Sequence, residues 1–316
     1  MEYRSFGRTG VKVSSLCLGC MMFGGKTPAA ESYDIIDRAL DAGINFIDTA
    51  NVYSIGRSEE VTGEALKRNG KRQRLVLATK VHGKMGEDVN DLGNTRRHII
   101  EQCEASLRRL QTDYIDLYQI HRPSPDIPID ETLRALDDLI RAGKVRYIGS
   151  STFAAWQLVE SLWVAKELGL NRFVCEQPPY NLLDRRIERE LAPACQKYGL
   201  GVLPYFPLAN GFLTGKYRPG EPPPEGTRLA AMQGRGAEQT LTDANYEMLG
   251  KLESFARERG HSMLDLAIGW LASQPFVSSV IAGATKPEQI EQNVAAAAWK
   301  LTAEEMAEVG KITRGQ

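Results

Sequence analysis

The 316-residue sequence has little of what marks the specialised classes of protein. Five cysteines are an odd number and too few for a disulfide scaffold. Cys17 and Cys20 form one Cys-x-x-Cys. The stretch Ser15-Leu16-Cys17-Leu18-Gly19-Cys20 reads as a strand, however, and side chains three residues apart on a strand face opposite ways. No second cysteine pair and no paired histidine completes a metal site, so free thiols in a reducing cytoplasm and no bound metal are expected. Neither charge is in excess: 39 Lys and Arg balance 40 Asp and Glu, a formal charge of -1. That excludes a global basic field for nucleic acid or an anionic membrane. The longest uncharged stretch, Leu266 to Thr285, is broken by Ser273, Gln274 and Pro275. It reads as a buried helix followed by a buried strand rather than a membrane span. Met1 to Phe6 carries no apolar signal core. The Gly-x-Gly-x-x-Gly fingerprint is missing after the first strand, where the chain reads Gly19-Cys20-Met21-Met22-Phe23-Gly24; this speaks against a doubly wound dinucleotide fold.

What is present is a repeat. Hydrophobic residues make up 42% of the chain, and short apolar runs alternate with helical patterns throughout. Eight strands are predicted: 16–19, 45–48, 75–80, 115–120, 146–150, 173–177, 201–205 and 277–282. Between them, Ile99, Cys103, Leu107 and Leu110 share one helical face, and Leu133, Leu136 and Ile140 another. Strand then helix, eight times over, predicts an α/β fold of the (β/α)8 barrel type, one domain over residues 1–316. Residues 1–13 read as a hairpin placed to plug the barrel floor. Residues 207–239, rich in Gly and Pro, read as a long loop after strand 7.

Active sites of such barrels lie at the C-terminal ends of the strands. Strand 2 ends in Asp48, with Tyr53 five residues on; strand 3 ends in Lys80; strand 4 runs into His121; strands 5, 6 and 7 end in Ser150-Ser151-Thr152, Glu176-Gln177 and Tyr205. A free phenol has a pKa of about 10, too high for proton transfer near neutrality. Lys80 is expected to lower it, Asp48 to hold Lys80 charged, and His121 to orient a carbonyl. The set suits protonation of an alkoxide as it forms, with hydride supplied by a nicotinamide. Lys80 as a Schiff-base lysine of a barrel aldolase stays open beside it.

The stretches Asp48-Thr49-Ala50-Asn51-Val52-Tyr53, Ala78-Thr79-Lys80-Val81 and Asp116-Leu117-Tyr118-Gln119-Ile120-His121 fall in the order and at the spacing of the aldo-keto reductases. The chain resembles that family from about residue 3 to residue 300. The resemblance implies an NADPH-dependent reductase of a small carbonyl substrate, with Tyr53 as acid, Lys80 and Asp48 tuning it, and His121 orienting the carbonyl. It also implies that Tyr205 stacks on the nicotinamide and that Ser151 and Gln177 hold its carboxamide. Gly19, Cys20 and Met21 would line the cleft, and Leu208, Gly211 and Lys216 the pyrophosphate loop. Residues 281–293, with Gly283, Thr285, Lys286, Gln289 and Asn293, would take the adenosine phosphate, Lys286 favouring NADPH over NADH. Thr152 stands where the family often has Asn, and lacks its amide. Met22, Asn51, His82, Met85 and Phe206 are expected to line the substrate pocket. Some members of the family serve as regulatory subunits of potassium channels, which leaves a cofactor-binding subunit with little turnover as an alternative.

Overall fold

A computed structural model of the chain describes residues 1–232 and 235–313. The chain opens with an antiparallel hairpin, β1 (Tyr3–Ser5) and β2 (Lys12–Ser14), in which Tyr3 pairs with Ser14. Its turn needs glycine. Gly7 has φ 54°, and a Cβ there would sit 2.6 Å from the carbonyl oxygen of Val174. Eight parallel strands follow: β3 (Leu16–Gly19), β4 (Phe46–Asp48), β5 (Val76–Val81), β6 (Ile115–Ile120), β7 (Val145–Ser151), β8 (Cys175–Gln177), β9 (Gly201–Val202) and β10 (Val280–Gly283). They lie in the order β10-β3-β4-β5-β6-β7-β8-β9. The two ends of that order meet: Val202 bridges Val277, Ser278 N donates to Val202 O at 3.0 Å, and Ile281 N to Pro204 O at 2.9 Å. The sheet is thus curled upon itself in the manner of a (β/α)8 fold.

The helices are α1 (Ala29–Asp41), α2 (Arg57–Asn69), α3 (Arg96–Leu110), α4 (Ile129–Arg141), α5 (Ala155–Glu167), α6 (Leu191–Tyr198), α7 (Arg228–Ala231), α8 (Arg235–Glu238), α9 (Asp243–Glu258), α10 (Met263–Ala272), α11 (Glu288–Ala296) and α12 (Ala303–Thr313). Their apolar stripes are the predicted ones. Ile99, Cys103, Leu107 and Leu110 are all buried, as are Leu133 and Leu136, with Ile140 packed beside them. Each fully buried Leu or Ile contributes about 1.5–3 kcal/mol.

Apolar side chains fall into two groups. The larger lies between sheet and helices. The smaller fills the inside of the sheet, and there Phe6 and Val13 of the hairpin pack with Cys17, Phe46, Ala78, Leu117, Cys175, Leu203 and Ile281. Phe6 meets Phe46 edge to face at 5.7 Å. The hairpin therefore closes one end of the interior and leaves the other end to polar groups.

Several boundaries move. The strand expected at 201–205 is regular only over Gly201–Val202, because Pro204 has no N–H for the ladder. The stretch expected as one long loop, 207–239, carries a 3-10 turn (Ala209–Thr214) and the short helices α7 and α8. Gln233 and Gly234, which belonged to that expected loop, lie outside the described residues. The uncharged run 266–285 resolves into α10 and β10, and no helix among the described residues is long and apolar enough to cross a membrane.

Candidate active site

Parallel register brings the polar strand ends to one level. Gly19 pairs with Asp48, Lys80 with Gln119, Ser150 with Glu176, and Ser151 with Gln177. Lys80 is completely buried, and its three N–H donors are all used. It donates to Asp48 Oδ2 at 2.5 Å, to the backbone oxygen of Thr49 at 2.8 Å and to the Tyr53 hydroxyl at 3.3 Å. Burial alone would push the ammonium down, but the Asp48 charge, with the hydrogen bonds to Asp48 and Tyr53, outweighs it and holds Lys80 above its ordinary value.

The other oxygen of Asp48 faces two amides. Gln119 Nε2 and Gln177 Nε2 each donate to Oδ1 at 3.0 Å, and Gln177 Nε2 also reaches Gln119 Oε1 at 3.2 Å. The sequence reading missed Gln119. Its signal was an amide in the middle of the apolar run Ile115–Ile120. Gly149 on the next strand makes room for Cys175: a Cβ there would lie 2.5 Å from Cys175 Sγ, and 3.4 Å from Gln119 Cγ, an ordinary contact.

Tyr53 stands on the turn after β4. The next three residues, Ser54, Ile55 and Gly56, have φ of 48°, 52° and 86°. Such a left-handed run is strained for Ser and Ile. Ser58 Oγ, just beyond it, anchors the turn to Cys20 O at 2.7 Å. Here the structure corrects an expectation. Lys80 was expected to lower the Tyr53 phenol, and it does pull that way. Burial pushes harder, and the phenol lies above its ordinary value. Tyr53 is therefore protonated at neutral pH. His121 meets the Tyr53 ring edge to face at 5.6 Å. Burial and then the Lys80 charge push its imidazole down to about 2, so the ring is neutral.

The remaining predicted residues divide. Ser151 Oγ donates to Gln177 O at 2.8 Å and is engaged with backbone. Thr152, at φ 60°, donates its hydroxyl to Ser151 O and His121 O. Tyr205 packs against Phe206 at 4.7 Å, and its phenol is raised chiefly by burial. Gly19 and Gly283 pair at the ends of β3 and β10. A Cβ at Gly19 would lie 2.9 Å from Ile281 Cγ2. Cys20 is buried and its thiol is raised by burial, as is that of Cys17; all five cysteines are free.

In the 3-10 turn, Gly211 N donates to Leu208 O, and a Cβ at Gly211 would fall 3.0 Å from Lys216 Nζ. At the start of α11, Gln289 Oε1 accepts from Thr285 N at 2.7 Å and from Lys286 N at 3.3 Å, with Lys286 exposed and Asn293 buried. Of the expected pocket residues, Asn51 is misplaced. It is completely buried, and its amide donates to Gln102 of α3, behind the turn. His82 is held by Asn94 and Ser124.

Arg228 was also missed, because nothing in a Gly- and Pro-rich stretch distinguishes it. Its guanidinium lies over the Phe206 ring at 4.8 Å and donates to Met21 Sδ at 3.8 Å. Among the described residues no carboxylate pairs with it, and burial lowers it. Nearby, Lys26 Nζ donates to Gly226 O at 2.7 Å. The segment after β9 thus reaches across to the loop after β3.

The chain is similar to known proteins over nearly its whole length. A sequence model described as the Aldo/keto reductase family matches residues 15–314. The chain is 40% identical over 299 residues to a probable voltage-gated potassium channel subunit beta of Oryza sativa subsp. japonica, covering 94% of this chain and 91% of the other. It is 36% identical to the versiconal hemiacetal acetate reductase of Aspergillus parasiticus, covering 97% and 95%. It is also 36% identical to the aldo-keto reductase YhdN of Bacillus subtilis (strain 168), covering 99% and 93%.

Proposed function

Because this chain belongs to the aldo/keto reductase family, we propose that it is an NADPH-dependent oxidoreductase that reduces an aldehyde or ketone, with Tyr53 as the general acid. One observation carries the reading: a single buried ammonium, Lys80, touches both the Asp48 carboxylate and the Tyr53 hydroxyl. When bound, the nicotinamide supplies the hydride. As the carbonyl oxygen gains charge, Tyr53 delivers its proton there. The phenolate left behind is stabilised by Lys80, which Asp48 keeps charged and oriented. The neutral His121 ring offers an N–H to the same oxygen and fixes its position.

The residues present fit a dinucleotide. Gly19 and Gly283 pair at the ends of β3 and β10, and neither carries a side chain to hinder a ligand from approaching the backbone there. Lys216 beside Gly211, and Arg228, which no carboxylate pairs with among the described residues, supply cations for the pyrophosphate. Thr285, Lys286 and the free amide of Gln289 serve the adenosine phosphate, with Asn293 behind them. Gln177 has spent both amide hydrogens on Asp48 and Gln119, which leaves its Oε1 as the acceptor that would hold the carboxamide. Ser151 lies beside it, and Tyr205 offers a face for the nicotinamide ring. The described part of the segment, 207–232 and 235–239, acts as a lid on this cleft, and the protein works in the cytoplasm on a small molecule.

A protonated Schiff base at Lys80 keeps one N–H and would sacrifice at least two of its three hydrogen bonds, which disfavours the aldolase alternative. A regulatory subunit that binds cofactor with little turnover is favoured by the names of relatives from rice, Arabidopsis thaliana and Schizosaccharomyces pombe. Oxidation of NADPH, followed by absorbance against a panel of aldehydes and ketones, separates the two. Turnover abolished by Tyr53→Phe supports the reductase. Cofactor binding with no turnover of any substrate supports the subunit.

A further inference from the structure

The mechanism leaves one buried carboxyl without a task. Glu176, on β8 next to Gln177, is completely shielded from solvent, and among the described residues no cation pairs with it. Its two oxygens are nonetheless engaged. Ser150 Oγ donates to Oε2 at 2.5 Å, and the backbone N–H of Phe153 donates to Oε1 at 3.1 Å. The carboxyl therefore grips β7 and the turn beyond it at two points, residue 150 before the turn and residue 153 after it.

Between those points lie Ser151 and Thr152. Thr152 has φ 60°, a left-handed conformation that a β-branched residue adopts only when its surroundings impose it. The turn touches two parts of the site. The Thr152 hydroxyl shares its one proton between Ser151 O at 2.7 Å and, on the longer arm, the backbone oxygen of His121 at 3.3 Å. Thr152 N and Ser151 Oγ both donate to the backbone oxygen of Gln177, at 3.2 and 2.8 Å, and the Gln177 side chain donates to Asp48. A shift of this turn would move the supports of His121 and of the Asp48 network together.

We propose that Glu176 is a positioning residue that clamps the left-handed Ser151–Thr152 turn, and through it holds His121 and Gln177 in register with Tyr53. This rests on the reductase reading of the site. The clamp needs two short, fixed partners, one facing a hydroxyl and one facing an N–H. A carboxyl provides both. An amide does as well: Gln at this position keeps an acceptor for Phe153 N–H and presents an NH2 to Ser150 Oγ, which then accepts. An apolar side chain of similar size provides neither: it leaves the buried Phe153 N–H without a partner and Ser150 Oγ with only its long contact to Cys175 O at 3.5 Å.

The test compares Glu176→Gln with Glu176→Leu by amide hydrogen exchange and by steady-state kinetics. E176L should speed exchange at residues 151–153 by about tenfold or more, while β5 exchanges as in the wild type. It should lower kcat by about 10- to 100-fold, as expected for buried donors left unpaired. E176Q should restore both to within about threefold of wild type, because it keeps both hydrogen bonds. Wild-type exchange and kcat in E176L would overturn the proposal. So would an E176Q as impaired as E176L, since packing or charge rather than the two hydrogen bonds would then be at work. Should E176L fail to fold, Ser150→Ala removes one donor from the same carboxyl, and no rise in exchange at residues 151–153 would overturn the proposal. A wild type that reduces no carbonyl would refute the reductase reading alone, because the exchange measurements still decide the clamp.

Discussion

Gln177 on β8 donates its amide to Asp48 on β4 at 3.0 Å, across the interior of the sheet and four strands away in its order. With Lys80 on the opposite carboxylate oxygen and Gln119 sharing the first, Asp48 is the hub of a buried network drawn from β4, β5, β6 and β8. The network explains how a lysine with no solvent exposure stays charged beside a phenol. It also makes the amides as testable as the charges.

Gln119→Leu removes one donor from Asp48 and leaves Lys80 and Tyr53 in place. The expected result is a fall in kcat of about tenfold, the scale of one hydrogen bond to a charged group, with KM for the carbonyl little changed. Steady-state kinetics on one good aldehyde would check it. A larger change in KM than in kcat would assign Gln119 to substrate binding.

Tyr53→Phe should lower carbonyl reduction by about 100- to 10,000-fold, the range for loss of a general acid. Cofactor affinity should stay close to wild type, because nothing is removed from the dinucleotide cleft. Fluorescence titration with NADPH supplies the second half of the test. A kcat within about tenfold of wild type would mean that another group is the acid.

Lys80→Met removes the charge that opposes burial at Tyr53. The phenol, already above its ordinary value, should rise further. Alcohol oxidation needs the phenolate, so its alkaline limb should move to higher pH as the rate falls. Profiles of the oxidation rate against pH for both proteins would show this. A slower enzyme with an unmoved limb would leave Lys80 a purely structural part.

Lys286→Ala should weaken NADPH binding by about 10- to 150-fold and leave NADH nearly unchanged, since only NADPH carries the 2′-phosphate. Titration of both cofactors against both proteins is the measurement. Equal wild-type affinities for the two would remove Lys286 from the phosphate site.

Burial pushes the Glu176 carboxyl up to about 8, against about 4.3 for a free glutamate. Between those values the folded protein holds a proton that the unfolded chain has lost. Stability from this group is therefore full below about pH 4.3 and is lost as pH rises through the window, levelling off above about 8. Glu176→Gln has no such dependence. Its stability relative to wild type, from urea midpoints, should grow between pH 5 and pH 8 and then stay constant. A difference that does not change with pH would mean that the carboxyl is ionised throughout.

The sequence by itself determined the alternation of strands and helices, because apolar periodicity depends only on neighbours along the chain. The same local pattern put Asp48, Lys80, His121, Gln177 and Tyr205 at strand ends. It could not foresee which polar groups would pair, since register between strands four apart arises only when the sheet curls. So Gln119 was hidden inside an apolar strand until the curled sheet faced it to Asp48 and Gln177, and Arg228 was one cation in a Gly- and Pro-rich stretch until the fold carried it to Phe206 and Met21. Asn51 looked like a neighbour of Tyr53 in the site, but it is buried with its amide donating to Gln102 of α3. The Tyr53 phenol was decided by tertiary structure in the same way. Attraction to Lys80 could be anticipated from the motifs, whereas the larger penalty of desolvation exists only once the walls of the cleft have closed around it.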